Sequence, residues 1–191
     1  MDIRTSSQLG GQWGQLQPLR AVAATDLRAR HGAPAWHRRG IVLTVKLADV
    51  GLIGAQDHYL AVVATPRADG SAQASVVNAG ILDHPVSGAQ VVAFVTYGRA
   101  KLANLRARRQ ATVVFRAGWQ WAAVEGRAQI IGPDDPYPGF DPEALPELLR
   151  SVFRAAGGTH DDWATFDRVM AEERRSAVLV QPERIYSNPS S

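Results

Sequence analysis

The chain has 191 residues and a mass of 20.6 kDa, enough for one domain with a proper core. With no cysteine it cannot use disulfides, thiolate nucleophiles or cysteine-ligated zinc and iron–sulfur sites. Its net charge of +3 is uneven: residues 1–45 carry six arginines against Asp2 and Asp26, while the remainder sums to −1. A nucleic-acid-binding body would spread positive charge over a face of the fold, so that class is set aside. The most apolar stretch, IVLTVKLADVGLIGA, is interrupted by Lys46 and Asp49, and no membrane span is expected. MDIRTSSQLGGQW lacks an apolar core, so no secretory signal is expected, and cysteine-free composition fits a cytoplasmic protein.

Residues 1–18 are rich in Gly, Gln and Ser and show no period. LRAVAATDLRAR could form a short helix before HGAPAWHRRG breaks it. Residues 1–45 are therefore read as a poorly ordered extension, and 46–189 as the folded domain. KLADVGLIGAQ suits a short helix with Leu47, Val50 and Ile53 or Gly54 on one side. YLAVVATP (59–66) and SAQASVVNA (71–79) read as strands around Asp69-Gly70, a hairpin turn signature. QVVAFVTY (90–97) is a third strand, followed by a short helix from Lys101 to Arg109 and a fourth strand, ATVVFRAG. WQWAAVEGRAQII (119–131) is a long fifth strand in which Gly126 marks a bulge or bend.

Two helices follow, PEALPELLRSVFRAAG, stopped by Gly157-Gly158, and DDWATFDRVMAEERR, for which Thr159 to Asp162 resembles a capping box. SAVLVQPERIYS closes the sheet, with Pro182 indicating an edge or a bulge. Six strands joined mostly by short turns argue for a mainly β fold, an antiparallel barrel with peripheral helices. Neither GxGxxG nor GxxxxGK[ST] occurs.

Three clusters bear on function. TYGRAKLANLRAR holds Arg99, Lys101, Arg106 and Arg108 without an acid. Arg106, Arg108 and Arg109 belong to the body and end of the helix, where cations complement its dipole. Arg99 and Lys101 lie at its start, where positive charge is unfavourable unless an anion sits there, and free backbone amides would add to such a site. An anion site is the better reading of that pair, a solvated turn the alternative. Trp119 and Trp121 alternate with Gln120 on one strand face, as core packing or as an aromatic wall for a planar ring. Gln73, Ser75 and Val77 share one face of their strand, and Ala74, Val76 and Asn78 the other; by default the polar set faces solvent. His160, Asp161 and Asp162 open a helix, which reads as capping rather than metal ligation. Ser75 has no identifiable base partner, so no catalytic triad is assigned.

Taken in order, YLAVVATPRADGSAQASVVNAG, FVTYGRAKLANLRARRQATVVF, GWQWAAVEGRAQIIGPDDP, FRAAGGTHDDW and LVQPERIYSNP resemble the split β-barrel flavin and deazaflavin oxidoreductases of the pyridoxamine 5′-phosphate oxidase-like superfamily. The likeness is nearest to actinobacterial members that use the deazaflavin coenzyme F420. It implies a six-stranded FMN-binding split barrel, with Arg99 and Lys101 on the coenzyme phosphate and Thr96 and Tyr97 alongside. It implies that Gln73, Ser75 and Val77 approach the ring system, and that Trp119 and Trp121 line the pocket, often across a homodimer interface. The implied reaction is hydride transfer between the reduced deazaflavin and an unsaturated small-molecule substrate, with a proton from solvent or an unnamed donor. FMN as cofactor, and a non-catalytic carrier of a flavin or haem-like ligand, are the alternatives.

Overall fold

A computed structural model of the chain describes residues 45–188. The expectation for the N-terminal extension lies outside the described residues. The elements are α1 (Leu47–Gln56), β1 (Leu60–Pro66), β2 (Ala72–Asp83), β3 (Gln90–Thr96), α2 (Arg99–Ala107), β4 (Gln110–Ala117), β5 (Gln120–Ile131), α3 (Leu145–Ala155), α4 (Trp163–Glu172) and β6 (Ser176–Ser187). The strands close an antiparallel barrel in the order β1-β2-β3-β6-β5-β4, with β4 returning to β1. This is the mainly β architecture with peripheral helices that the strand pattern predicts.

Burial explains the two kinds of strand. β1 alternates, with Ala61 and Val63 inside and Leu60 and Val62 outside, because nothing in the described chain covers its outer face. β3 and the first half of β6 are apolar on both faces. Val92, Phe94, Val178 and Val180 fill the barrel with Val63, Val113, Phe115 and Val124, and α1 and α2 plug that core with Val50 and Leu105. Val91, Ala93, Ala177 and Leu179 point outward into a second core against Leu148, Leu149 and Val152 of α3 and Phe166 of α4. Burying a side chain of this size stabilises the fold by about 1.5–3 kcal/mol, so these two helices are firmly seated on the barrel.

The β1–β2 hairpin turns at Asp69-Gly70, where the Asp69 carboxylate accepts hydrogen bonds from the backbone N–H and the hydroxyl of Ser71. Gly126 sits at a register shift: it pairs with Pro182 while Glu125 pairs with Arg184, so Glu183 is the additional residue on β6. Pro182 therefore marks a bulge inside a closed barrel, not an edge.

Four local readings change. The helix read from Lys101 to Arg109 runs Arg99–Ala107, leaving Arg108 as its extended C-cap and Arg109 beyond it. β2 continues four residues beyond Ala79, paired with β3 through Asp83, and residue 80 is glycine because α3 presses its Ala155 carbonyl against that point. Trp119 is not in β5; with Gly118 it makes the turn before it, and its side chain is 96% exposed rather than packed in a core. Asn188 fastens that turn, accepting from the Trp121 N–H and donating to the Trp119 carbonyl. Finally, α4 is capped by Asp162 itself, whose carboxylate accepts from the N–H and hydroxyl of Thr165. Thr159 is not the capping residue. Those two hydrogen bonds hold the Asp162 carboxyl below the usual carboxylate range.

Candidate functional site

A cleft of about 810 Å³ opens where the β3 rim, the α1–β1 link and the α3–α4 pair meet. Its polar end is built from the passage of β3 into α2. Thr96 ends β3 almost fully buried, and its hydroxyl accepts from the Gly98 N–H. Gly98 is the N-cap of α2 in extended conformation; no side chain caps the helix and its first turn has no acid. The amides of Arg99, Ala100 and Lys101 thus precede the first intrahelical bond, made by Leu102 to the Gly98 carbonyl.

Lys101 lies in that turn and is only 6% exposed. Its ammonium stands 5.1 Å from the centroid of the Phe94 ring and has no ion pair among the described residues. Burial pushes its pKa below the ordinary lysine value. A buried lysine without a counter-ion, beside uncapped helix amides, is a costly arrangement for a protein alone and a favourable one for an anion. Tyr97, more than half exposed, continues the rim, and the guanidinium of Arg175 lies 4.3 Å from its ring centroid. Among the described residues no aspartate or glutamate lines the cleft.

Val77, Phe153, Phe166 and Met170 give the cleft an apolar wall. Opposite, the α1–β1 link holds two consecutive non-glycine residues in the left-handed region, His58 (φ 53°) and Tyr59 (φ 57°). Each such residue costs on the order of 1 kcal/mol. The cost is offset locally: Asn78 donates to the His58 carbonyl at 2.9 Å, and the Tyr59 N–H reaches Gly54 at 2.7 Å.

Of the residues singled out from sequence, the cleft gathers Val77, Thr96, Tyr97 and Lys101. Arg99 is exposed, one residue outside the wall, and parts company with Lys101. Gln73 and Ser75 share the strand face of Val77 but lie further along. That face is the more buried one, with Val76 on the opposite face 65% exposed, which reverses the default expectation for β2. The reason is α2: its Asn104 amide donates to both Gln73 Oε1 and Thr65 Oγ1 at 3.1 Å, giving the polar side of β2 a partner inside the fold. Ser75 Oγ is buried without a hydrogen-bond partner. Trp119 and Trp121 do not line this cleft; Trp121 packs edge-on against Tyr186, 6.0 Å between centroids. Arg106 is exposed but paired: it forks onto Asp135 at 2.8 and 2.7 Å, which raises the arginine's pKa further. Among the described residues no cluster of three or more His, Asp or Glu could hold a metal ion, and no helix is long and apolar enough to cross a membrane.

Sequence reasoning missed Arg175. Its signal was the pairing of Thr96 with Ser176, which sets Arg175 beside Tyr97 and is invisible without knowing that β3 neighbours β6.

A family model described as pyridoxamine 5′-phosphate oxidase matches residues 54–188. Among solved structures, a conserved hypothetical protein of Mycobacterium tuberculosis is 18% identical with a TM-score of 0.55, over 78% of this chain and 87% of that one. A putative 5-nitroimidazole antibiotic resistance protein of Bacteroides thetaiotaomicron is 13% identical with a TM-score of 0.54, over 77% and 85%. Both likenesses are of fold. An F420 reductase, 16% identical over 68% of this chain and 90% of that one, overlaps less well, with a TM-score of 0.46.

Proposed function

Since the chain belongs to the pyridoxamine 5′-phosphate oxidase family of flavin-binding oxidoreductases, we propose that its cleft binds a phosphate-bearing deazaflavin, coenzyme F420, and serves hydride transfer to or from an unsaturated small molecule. One observation carries the reading: Lys101, buried at the uncapped start of α2, with neither a counter-ion nor an acid in the cleft among the described residues.

In this reading Lys101 and the α2 amides hold the phosphate, and Thr96 fixes the helix start by accepting from Gly98. Val77, Phe153, Phe166 and Met170 receive the ring and exclude water. The bound coenzyme supplies the redox chemistry, and the chain supplies binding and orientation. The family match favours FMN as the second cofactor reading, because pyridoxamine 5′-phosphate oxidase is the description it carries.

Fluorescence titration with F420 and with FMN tests the site. Lys101→Ala should weaken binding by about one to two orders of magnitude, as the loss of a charge-assisted contact worth about 1.5–3 kcal/mol predicts. Arg109→Ala, which removes the same charge from an exposed position, should change it little. Equal effects would mean that the basic stretch acts only as a surface. Coenzyme-dependent consumption of an enone separates an oxidoreductase from a carrier; binding without turnover across a panel of enones would favour the carrier.

A further inference from the structure

The cleft has a second cation, placed with more care than a surface arginine requires. α4 ends at Glu172, and Arg174 takes a left-handed conformation, φ 50°, before β6 begins. That strained residue sends two neighbouring arginines to different places: Arg174 bonds Asp134, while Arg175 turns to the cleft wall. The link is pinned by the Arg174 N–H on the Ala171 carbonyl and the Arg175 N–H on the Met170 carbonyl, at 3.0 and 2.9 Å.

The Arg175 guanidinium is held at two places. Its face lies over the Tyr97 ring at 4.3 Å, and its Nε donates to Glu173 at 2.5 Å. Stacking and a bond through Nε leave both terminal nitrogens without a hydrogen-bond partner among the described residues. This is the end of the group that forks onto carboxylates and phosphates, and its side chain is three-quarters buried. Tyr97 adjoins Gly98, the N-cap of α2, so Arg175 stands at the rim where the α2 amides and Lys101 converge. The two cations are complementary, because an arginine stays charged where burial disfavours the charge of a lysine.

We propose that Arg175 is a ligand-binding residue whose terminal nitrogens take an oxyanion of the ligand phosphate opposite Lys101. The proposal rests on the phosphate-site reading above and adds Glu173 as its attenuator: by sharing the guanidinium, Glu173 weakens the hold on the anion.

Titration of the full chain with FMN and with riboflavin isolates the phosphate contribution, and F420 against its deazariboflavin core, which lacks the whole phosphate-bearing acidic tail, runs in parallel. Arg175→Ala should weaken binding of the phosphate-bearing partner of each pair at least tenfold and leave the phosphate-free partner unchanged. Arg175→Gln, which keeps the stem and can hydrogen-bond but carries no charge, should lose about as much and decides the matter if the alanine variant melts early. Glu173→Gln should tighten phosphate-dependent binding about two- to fivefold, a gain that a merely structural arginine would not produce. Arg168→Ala on the exposed Glu172 pair corrects for net charge. If both Arg175 variants match Arg168→Ala while Lys101→Ala still loses affinity, the assignment of Arg175 is wrong and the phosphate site stands. If the wild-type chain binds each phosphate-bearing compound no better than its core, both readings fall.

Discussion

At the scale of single residues, Lys101 sets stability against function. Its ammonium is buried over the Phe94 ring with no ion pair among the described residues, so its charge is a cost to the ligand-free fold. Its folded pKa lies below the ordinary value of 10.5, lowered by desolvation. Below that folded pKa both states are protonated and the whole penalty is felt. As pH rises toward 10.5 the unfolded chain holds a proton that the folded chain has released, so this residue adds stability with rising pH. Lys101→Met should therefore raise the stability of the ligand-free protein at neutral pH by about 1–2 kcal/mol and flatten its alkaline pH dependence. The same variant should bind the phosphate-bearing coenzyme at least tenfold more weakly. Chemical denaturation at several pH values measures the first effect, and a variant less stable than wild type at pH 7 would contradict the account. Arg106 is the contrasting case. It serves Asp135, so Arg106→Ala should cost about 0.5–1 kcal/mol of stability and leave coenzyme affinity unchanged.

At the scale of elements, the bulge where β5 meets β6 is the place to test how the barrel closes. A Cβ on Gly126 would lie 1.9 Å from the Gln181 carbonyl oxygen and 2.8 Å from its carbon, backbone atoms that cannot rotate away. Gly126→Ala should destabilise the protein by about 2–4 kcal/mol, read as a drop in Tm, with β5–β6 amides exchanging fastest. A change below about 0.5 kcal/mol would show that the strands slide freely there. This bulge was legible because a glycine inside an apolar strand and a proline in a facing one both point to it. The strand positions were legible for similar local reasons: β1 shows its period, and Asp69-Gly70 marks its turn. What failed was long-range. The second strand is read as ending at Ala79, yet it runs on through Gly80, a glycine that the Ala155 carbonyl of α3, far along the chain, requires. The two-residue period of WQW assigns both tryptophans to one strand, but the turn takes Trp119 out of it. The Asp162 cap needed only a shift of three residues in a pattern already noticed. In the candidate site, dipole and charge alone singled out Arg99 and Lys101 as a pair; burial then separates Lys101 from the exposed Arg99, and Arg175 depended on which strand pairs with which.

At the scale of the whole molecule, the barrel wears two different outsides. β3, β6 and the far half of β2 are roofed by α3 and α4, but among the described residues no helix covers the outward side chains of Val62 on β1 and Val76 on the near half of β2. Across that open side Val76 pairs with Val62 and Val62 with Val114, an unbroken apolar row running over three strands. Val62 is 42% exposed, Val76 65% and the neighbouring Leu60 41%. Scattered exposed valines mean little, but a cross-strand row of them is a candidate contact surface. A second copy of this chain is the partner we propose: such a pairing would cover the row and bring Trp119, wholly exposed at the tip of the β4–β5 turn, against another protomer. Val62→Asp places a charge in the middle of the row without touching either core, since Val62 points outward. Wild-type protein at micromolar concentration should scatter light as a dimer, and Val62→Asp should scatter as a monomer with an unchanged circular dichroism spectrum. Coenzyme affinity adds the functional arm. If Trp119 of one protomer completes the cleft of the other, Val62→Asp and Trp119→Ala should weaken binding by similar factors, and combining them should add nothing further. A wild-type monomer that binds coenzyme as tightly as any variant would show that the open face is not an interface and that one chain makes the whole site.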